Sequence, residues 1–341
     1  MENEKKYTAI GGQAVIEGVM MRGLKSISIA VRKPNGEIEV KSEPLKKNAL
    51  SWIAKVPFLR GAFALVSSMV VGVKALTYSA EFYMEDEEEA EGKFEKWIKE
   101  KFGEKAENIM VFFSILFSAV MAILMFAVAP TFLISLLKNT IKDPILLSSM
   151  EGILKIVIFV SYIFLISRLN DVKRVFQYHG AEHKCIYCFE SGKELTVENA
   201  REFGTLHPRC GTSFLLIVMG ISIAIFTFVG WNSTVMRMVF KVLLFPVIAG
   251  LSYEVIKWAG KNDNLLVKII SYPGFMMQKL TTNEPDDEQL EVALVALKSV
   301  LEYENDLENA TNVSEATKAV DEKSYVDDRV VAEGGHAGES S

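Results

Sequence analysis

Residues 109–137 read IMVFFSILFSAVMAILMFAVAPTFLISLL, a run without one charged side chain. As a helix it is long enough to cross the hydrocarbon core of a bilayer, which takes about 20 apolar residues. Three more segments are long and predominantly apolar, at 145–167, 213–231 and 235–256. Together they predict a mainly α protein, a polytopic α-helical membrane protein with about four transmembrane helices. The composition agrees: of 341 residues 50% are hydrophobic, and the mean hydropathy of +0.22 is high for a water-soluble globule. Pro130 is expected to kink the first span. Glu151 and Lys155, one turn apart in the second, are placed to pair.

Outside the spans the chain changes character. Residues 1–55 form an N-terminal β-rich element. In it Ser26–Val31 and Glu37–Val40 alternate polar and apolar around the turn residues Pro34, Asn35 and Gly36. Ahead of that hairpin, the glycine-punctuated stretch 11–23 (GGQAVIEGVMMRG) lets the backbone approach a ligand or a neighbouring element closely. It fits no dinucleotide or phosphate-loop spacing. Residues 56–108 begin with an apolar segment, 56–80, in which Arg60 and Lys74 bracket a charge-free stretch shorter than a span. This predicts an interfacial helix, followed by a solvated acidic helix across 85–107. Residues 109–256 are the four-span domain, interrupted by the long connection 168–212. Residues 257–304 hold interfacial segments flanking Pro273 and Gly274, then an amphipathic helix at 285–304 started by the polar run 281–288. The polar tail 305–341 reads as disordered.

The connection between the second and third spans carries Lys173, Arg174, Lys184, Lys193, Arg201 and Arg209, and the regions before 56 and after 256 also contain many lysines and arginines. The positive-inside bias therefore predicts a multi-pass protein of the inner (cytoplasmic) membrane with this connection and both termini in the cytoplasm. An even number of spans agrees, whereas a span at 56–80 would break the parity. The first residues are polar and do not read as a secretory signal. A net charge of -6, with no basic face interleaved with aromatics, excludes nucleic acid as a partner. The expected partners are the lipid bilayer and a membrane-proximal substrate or cytoplasmic protein.

Chemistry concentrates in the basic connection. Three of the four histidines lie there, and residues 179–183 read HGAEH. In this H-x-x-E-H pattern His179 and His183 fall one helical turn apart, on the stripe that Val172, Val175 and Phe176 begin. Two inward imidazoles need partners, and a divalent metal such as zinc satisfies both, with Glu182 beside them as general base. His207 and Cys210 of the downstream HPRC are candidate further ligands. Glu254, near the end of the fourth span, is a candidate carboxylate ligand, against a plain ion pair with Lys257. Arg209 and the helix start at 211–213 are placed to orient an anionic or carbonyl group. Cys185 and Cys188 with His207 and Cys210 make a competing structural zinc set that shares two residues with the first. With only three cysteines, a disulfide framework is excluded.

In GGQAVIEGVMMRG (11–23), FQYHGAEHK (176–184), HPRCGTSF (207–214) and TTNEPDD (281–287), the chain resembles the YqhQ-like family of uncharacterised bacterial membrane proteins. The resemblance implies a metal-dependent enzyme. Cys185 and Cys188 are not part of the family pattern, which favours His179, His183 and the HPRC motif as the site. The expected function is a metal-dependent membrane hydrolase whose site faces the cytoplasm and acts on an amide or ester. The alternative is a metal-stabilised scaffold recruiting a cytoplasmic partner. A transporter comes third, since four spans with few buried charges argue against it.

Overall fold

The computed structural model describes residues 10–45, 59–83, 106–229, 233–259 and 264–307, with isolated positions at 56, 98, 101–103, 262 and 309. Most of the acidic stretch 85–107 and the tail beyond 309, with His336, lie outside the described residues.

Strands β1 (Gly11–Val15), β2 (Gly18–Arg22), β3 (Ser26–Arg32) and β4 (Ile38–Pro44) form one antiparallel sheet in sequence order. The β3–β4 hairpin is the one predicted by alternation. Ala30 pairs with Val40, and Gly36 turns with φ 87°, a conformation glycine adopts at no steric cost. The other hairpin comes from the glycine-punctuated stretch, which lacks a period of two. Its turn residue Glu17 has φ 48° and is pinned by Arg174 and by Tyr178 Oη, which donates at 3.2 Å.

Helix α1 (Leu59–Glu81) covers this sheet: Val71, Ala75 and Tyr78 pack on Val15, Met20 and Val31. Ile16 N–H donates to Ser79 Oγ at 3.1 Å. With 23 residues, α1 is longer than the charge-free stretch within 56–80, and by length and composition it is apolar enough to cross a membrane. The helix runs on through Arg60 and Lys74, so the charge-free stretch between them understates its length.

The first predicted span is α2 (Ala106–Ile123), a π-helical turn (Leu124–Val128) and α3 (Ala129–Ser135). Pro130 sits in the first turn of α3. There its missing N–H and ring are absorbed by the wider π turn, a common cause of a kink. Then come α4 (Pro144–Ile166), α5 (Asn170–Glu190), α6 (Val197–Arg201), α7 (Gly211–Thr227), α8 (Thr234–Ala259) and α9 (Leu265–Thr281). A last helix, α10, covers 287–307. Asp286 caps it in a reciprocal box with Gln289, their N–H···O distances being 2.8 and 3.1 Å.

Among the described residues, four helices of 18 or more residues are long and apolar enough to cross a membrane: α1, Ile109–Ser135, α4 and α8. The predicted span at 213–231 is the shorter apolar helix α7, with 17 residues or about 25 Å of helix, at the lower limit for a crossing. It stops where the carbonyls of Phe226 and Val229 accept hydrogen bonds from the Arg237 guanidinium, so its terminal acceptors are satisfied without another turn. Phe112, Phe113, Phe117 and Phe132 point outward, and none of the apolar window in Ile109–Ser135 is buried. In water such a belt is a liability; with lipid as the solvent it is the surface a membrane protein presents.

Two further expectations change inside the bundle. Glu151 pairs with Arg237 and Lys241 of α8 rather than with Lys155, its neighbour one turn along. The segments flanking Pro273 are one helix, α9, packed on α7. Their contact is close, since a Cβ on Gly274 would lie 2.4 Å from Ser213 Oγ.

A second core lies outside the bundle. Val19 and Met21 of the sheet, Tyr178, Ala181 and Cys185 of α5, and Leu290, Leu294 and Leu297 of α10 pack together. Three stretches remote in sequence thus share one core, and α5 lies at its centre.

Candidate metal centre

The site forms where α5 meets the start of α7 and the end of α9. Helix α5 presents two faces. Tyr178, Ala181 and Cys185 face the core, while His179 and His183 stand one turn apart on the adjoining face, their ring centroids 4.5 Å apart. Cys210 is the N-cap of α7, its sulfur accepting the Thr212 N–H at 3.5 Å. Its Sγ lies 3.2 Å from His179 Nε2. The ligand atoms of His179, His183 and Cys210 all lie within 4.8 Å of one another.

The backbone decides which nitrogen each imidazole offers. His179 Nδ1 lies 2.9 Å from the Thr281 carbonyl, and His183 Nδ1 contacts the Thr205 carbonyl. A carbonyl only accepts, so each Nδ1 carries the proton and each Nε2 keeps its lone pair. The His179 lone pair faces the Cys210 sulfur, and the His183 ring stands beside it in the same group. Metal-bound histidines are usually oriented in this way, by a carbonyl or carboxylate behind the ring. The separations also suit an ion with Zn–N and Zn–S bonds of about 2.0 and 2.3 Å. The donor set therefore fits a zinc-like metal.

His207 is different. Its Nδ1 accepts the Arg209 N–H at 3.3 Å, so the proton sits on Nε2. That buried N–H makes no hydrogen bond; Glu190 Oε2 is 3.9 Å away. The ring lies beside His183, at 5.4 Å between centroids, outside the three-residue group. Arg209 pairs with Glu190, and Glu254 of α8 pairs with Arg60 of α1, outside the three-residue group. Cys185 and Cys188 sit in the core, where their thiols contact the Leu290 and Glu194 carbonyls. Burial pushes both thiols up from the usual range. Among the described residues they join no ligand group.

Glu182 is fully enclosed, and its Oε1 accepts the Gly12 N–H at 2.9 Å. Burial raises its carboxyl above the usual range, against the opposing pull of His179 and of that N–H. The glycine at 12 now has a reason: a Cβ there would lie 2.9 Å from the Glu182 carboxyl carbon and 2.7 Å from the Met20 carbonyl. The close approach that stretch 11–23 allows is therefore to a neighbouring element. Burial lowers the pKa of His183, with Cys210 opposing.

Sequence reasoning missed the residues that hold this geometry. Gln278 clamps the HPRC turn: its Oε1 accepts the His207 N–H at 2.7 Å and its Nε2 donates to the His207 carbonyl at 2.8 Å. Gly180 lets the segment after α9 pass, since a Cβ there would lie 2.1 Å from the Asn283 carbonyl. The TTNEPDD run was the one signal for this segment, and it gave no hint that Thr281 serves the site through a carbonyl.

A family model described as "Protein of unknown function (DUF1385)" matches residues 56–303, the range that holds every residue of the site except Gly12. The chain belongs to this family. The "Uncharacterized protein YqhQ" of Bacillus subtilis (strain 168) is 35% identical over 310 residues, which cover 89% of this chain and 96% of that protein. The resemblance read from the motifs is thus upheld. Neither description names an activity, so the enzyme label implied by the resemblance receives no support from the family. No solved structure matches.

Proposed function

We propose that this protein is a metal-dependent membrane hydrolase whose divalent ion, zinc by its ligand chemistry, is held by His179, His183 and Cys210. One observation carries the reading: two imidazoles, each with its Nδ1 committed to a carbonyl, stand with one cysteine sulfur so that their ligand atoms lie within 4.8 Å of one another. Three protein ligands leave a tetrahedral ion one open position, the arrangement of catalytic rather than closed structural sites. When bound, such an ion supplies Lewis acidity toward a carbonyl and toward water. Glu182 is the proton carrier. Burial raises its carboxyl above the usual range, which favours the protonated form that a proton donor needs. Gly12 fixes one of its oxygens. Arg209, paired with Glu190, and the unsatisfied His207 N–H line the same corner as polar groups for an amide or ester substrate. The basic residues of 168–212 put the site on the cytoplasmic face of the inner membrane by the positive-inside bias. The substrate is then membrane-proximal.

A second reading, a metal-stabilised scaffold, is favoured by burial. Glu182, His183 and Cys210 are 5, 2 and 7% exposed, and only His179 is less covered. Elemental analysis of the detergent-purified protein, wild type against His179→Ala, tests the shared premise. Stoichiometric metal is expected in the wild type and a loss in the variant; no metal in the wild type ends both readings. Glu182→Gln then separates them. A hydrolase keeps its metal and loses cellular function, whereas a scaffold keeps both.

A further inference from the structure

A second polar cluster lies at the opposite end of the bundle. From Cys210 at the start of α7 to Ser222 near its end is about 18 Å along the helix axis. Beside Ser222 the side chains of Glu151 and Lys155 on α4 and of Arg237 and Lys241 on α8 line one cleft. All four charges lie within segments apolar enough to span a membrane, where ionisable groups are costly and are kept for partners or function.

The charges in this cleft do not balance. Glu151 accepts from Arg237 Nε at 3.0 Å, from Thr131 Oγ1 at 2.9 Å and from Lys241. The other Arg237 donors go to Ser148 Oγ and to the Phe226 and Val229 carbonyls. One carboxylate therefore serves two cations, and Lys155 has no ion-pair partner among the described residues. Three cations against one carboxylate leave an excess of two positive charges in a medium that screens them poorly. An internal structural cluster would be expected to close its own charge. Among the described residues this one has a single anion, Glu151.

We propose that the cleft between α4, α7 and α8 binds a phosphate group, with Lys155 and Lys241 as its charged donors and Ser222 as a hydroxyl on the same wall. A phosphate supplies the missing charge and enough oxygen acceptors for two ammonium groups. Size limits the choice. The enclosed space holds no more than about one water molecule and the rest of the cleft is open to solvent, so a phosphate would meet the cations at the mouth and a whole metabolite would not enter. The headgroup of an anionic phospholipid and the free ion share this chemistry, and basic pockets between membrane helices take such headgroups.

The test uses the full chain, purified in neutral detergent and stripped of lipid. It is titrated separately with phosphatidylglycerol and with inorganic phosphate in chloride buffer, then read by thermal unfolding and native mass spectrometry. A rise in Tm with bound ligand in either arm supports the site and identifies the source. Lys155→Gln should weaken that binding by at least about tenfold, since a hydrogen bond to a charged group is lost. Without ligand, the variant should unfold at the wild-type temperature or above, because an unmatched cation has been removed. Lys155→Arg should keep the binding. If neither arm stabilises the wild type, or if Lys155→Gln binds as well as wild type, the proposal is overturned.

Discussion

Gly180→Ala isolates the geometry behind the ligands without touching a ligand. Gly180 lies inside α5, where alanine is ordinarily the better residue by about 1 kcal/mol. On propensity alone the variant would be more stable. Packing predicts the opposite. The new Cβ would sit 2.1 Å from the Asn283 carbonyl oxygen and 3.2 Å from Thr205 Cγ2, so the segment after α9 must retreat by at least about 1 Å to reach ordinary contact. Overpacking of this kind costs about 1–3 kcal/mol, which outweighs the propensity gain. The retreat takes with it the Thr281 carbonyl, 2.9 Å from His179 Nδ1, and it disturbs Thr205, whose carbonyl holds His183. Loss of such a support typically lowers metal affinity by about 10–100-fold. Gly204→Ala is the control, because a Cβ there meets nothing within 4 Å. The assay is chelator competition for zinc on detergent-purified protein, with Tm measured on the same samples. Gly180→Ala should lose both affinity and stability, and Gly204→Ala neither. If Gly180→Ala binds zinc like wild type and melts no lower, the carbonyl contacts do not organise the site.

In metal-free protein held in chelator, Glu182→Gln should raise Tm increasingly as pH climbs from 5 to 8. The folded carboxyl is raised by burial, so the wild type loses stability as pH rises from the ordinary glutamate value of about 4.3 through the raised one. Parallel Tm curves across that range would contradict this. Glu254→Gln should leave metal content at the wild-type level by elemental analysis, because Glu254 is engaged by Arg60. A drop in metal would restore it as a ligand. Cys185→Ala should likewise keep its metal and lower stability by about 1 kcal/mol through lost core packing, checked by denaturant unfolding.

How far the sequence could be read depended on whether a signal was local. The long apolar runs and the H-x-x-E-H spacing depend on neighbours a few residues apart, so α2–α4, α8 and the paired histidines were legible. The β3–β4 hairpin was legible through its alternation, and α10 through its polar start. What escaped depended on contacts across the chain. The strands at 11–22 carry no alternation because they meet α5 and α1 on their two faces, and Gly12 is dictated by Glu182, 170 residues away. The end of α7 is set by Arg237 on the next helix. Glu254 looked like a ligand because its only sequence neighbour of opposite charge is Lys257, whereas its partner Arg60 lies 194 residues away.

The same distinction bears on how the candidate centre works. Its ligands come from two bodies: the histidines from α5, whose other face lies in the sheet–α10 core, and the cysteine from the first turn of α7 in the membrane bundle. The orienting carbonyls divide in the same way, Thr281 closing α9 of the bundle and Thr205 lying in the connection from α6. The Gln278 clamp on the HPRC turn then ties α9 to α7 near the sulfur. A metal at this point would crosslink the sheet–α10 core and the apolar helices. Its binding free energy would stabilise their docking by mass action. This follows whether the protein is a hydrolase or a scaffold. Chelation should therefore loosen the contact between α5 and the bundle before it unfolds either part, and hydrogen exchange along 176–184 and 205–213 would register that as an early loss of protection.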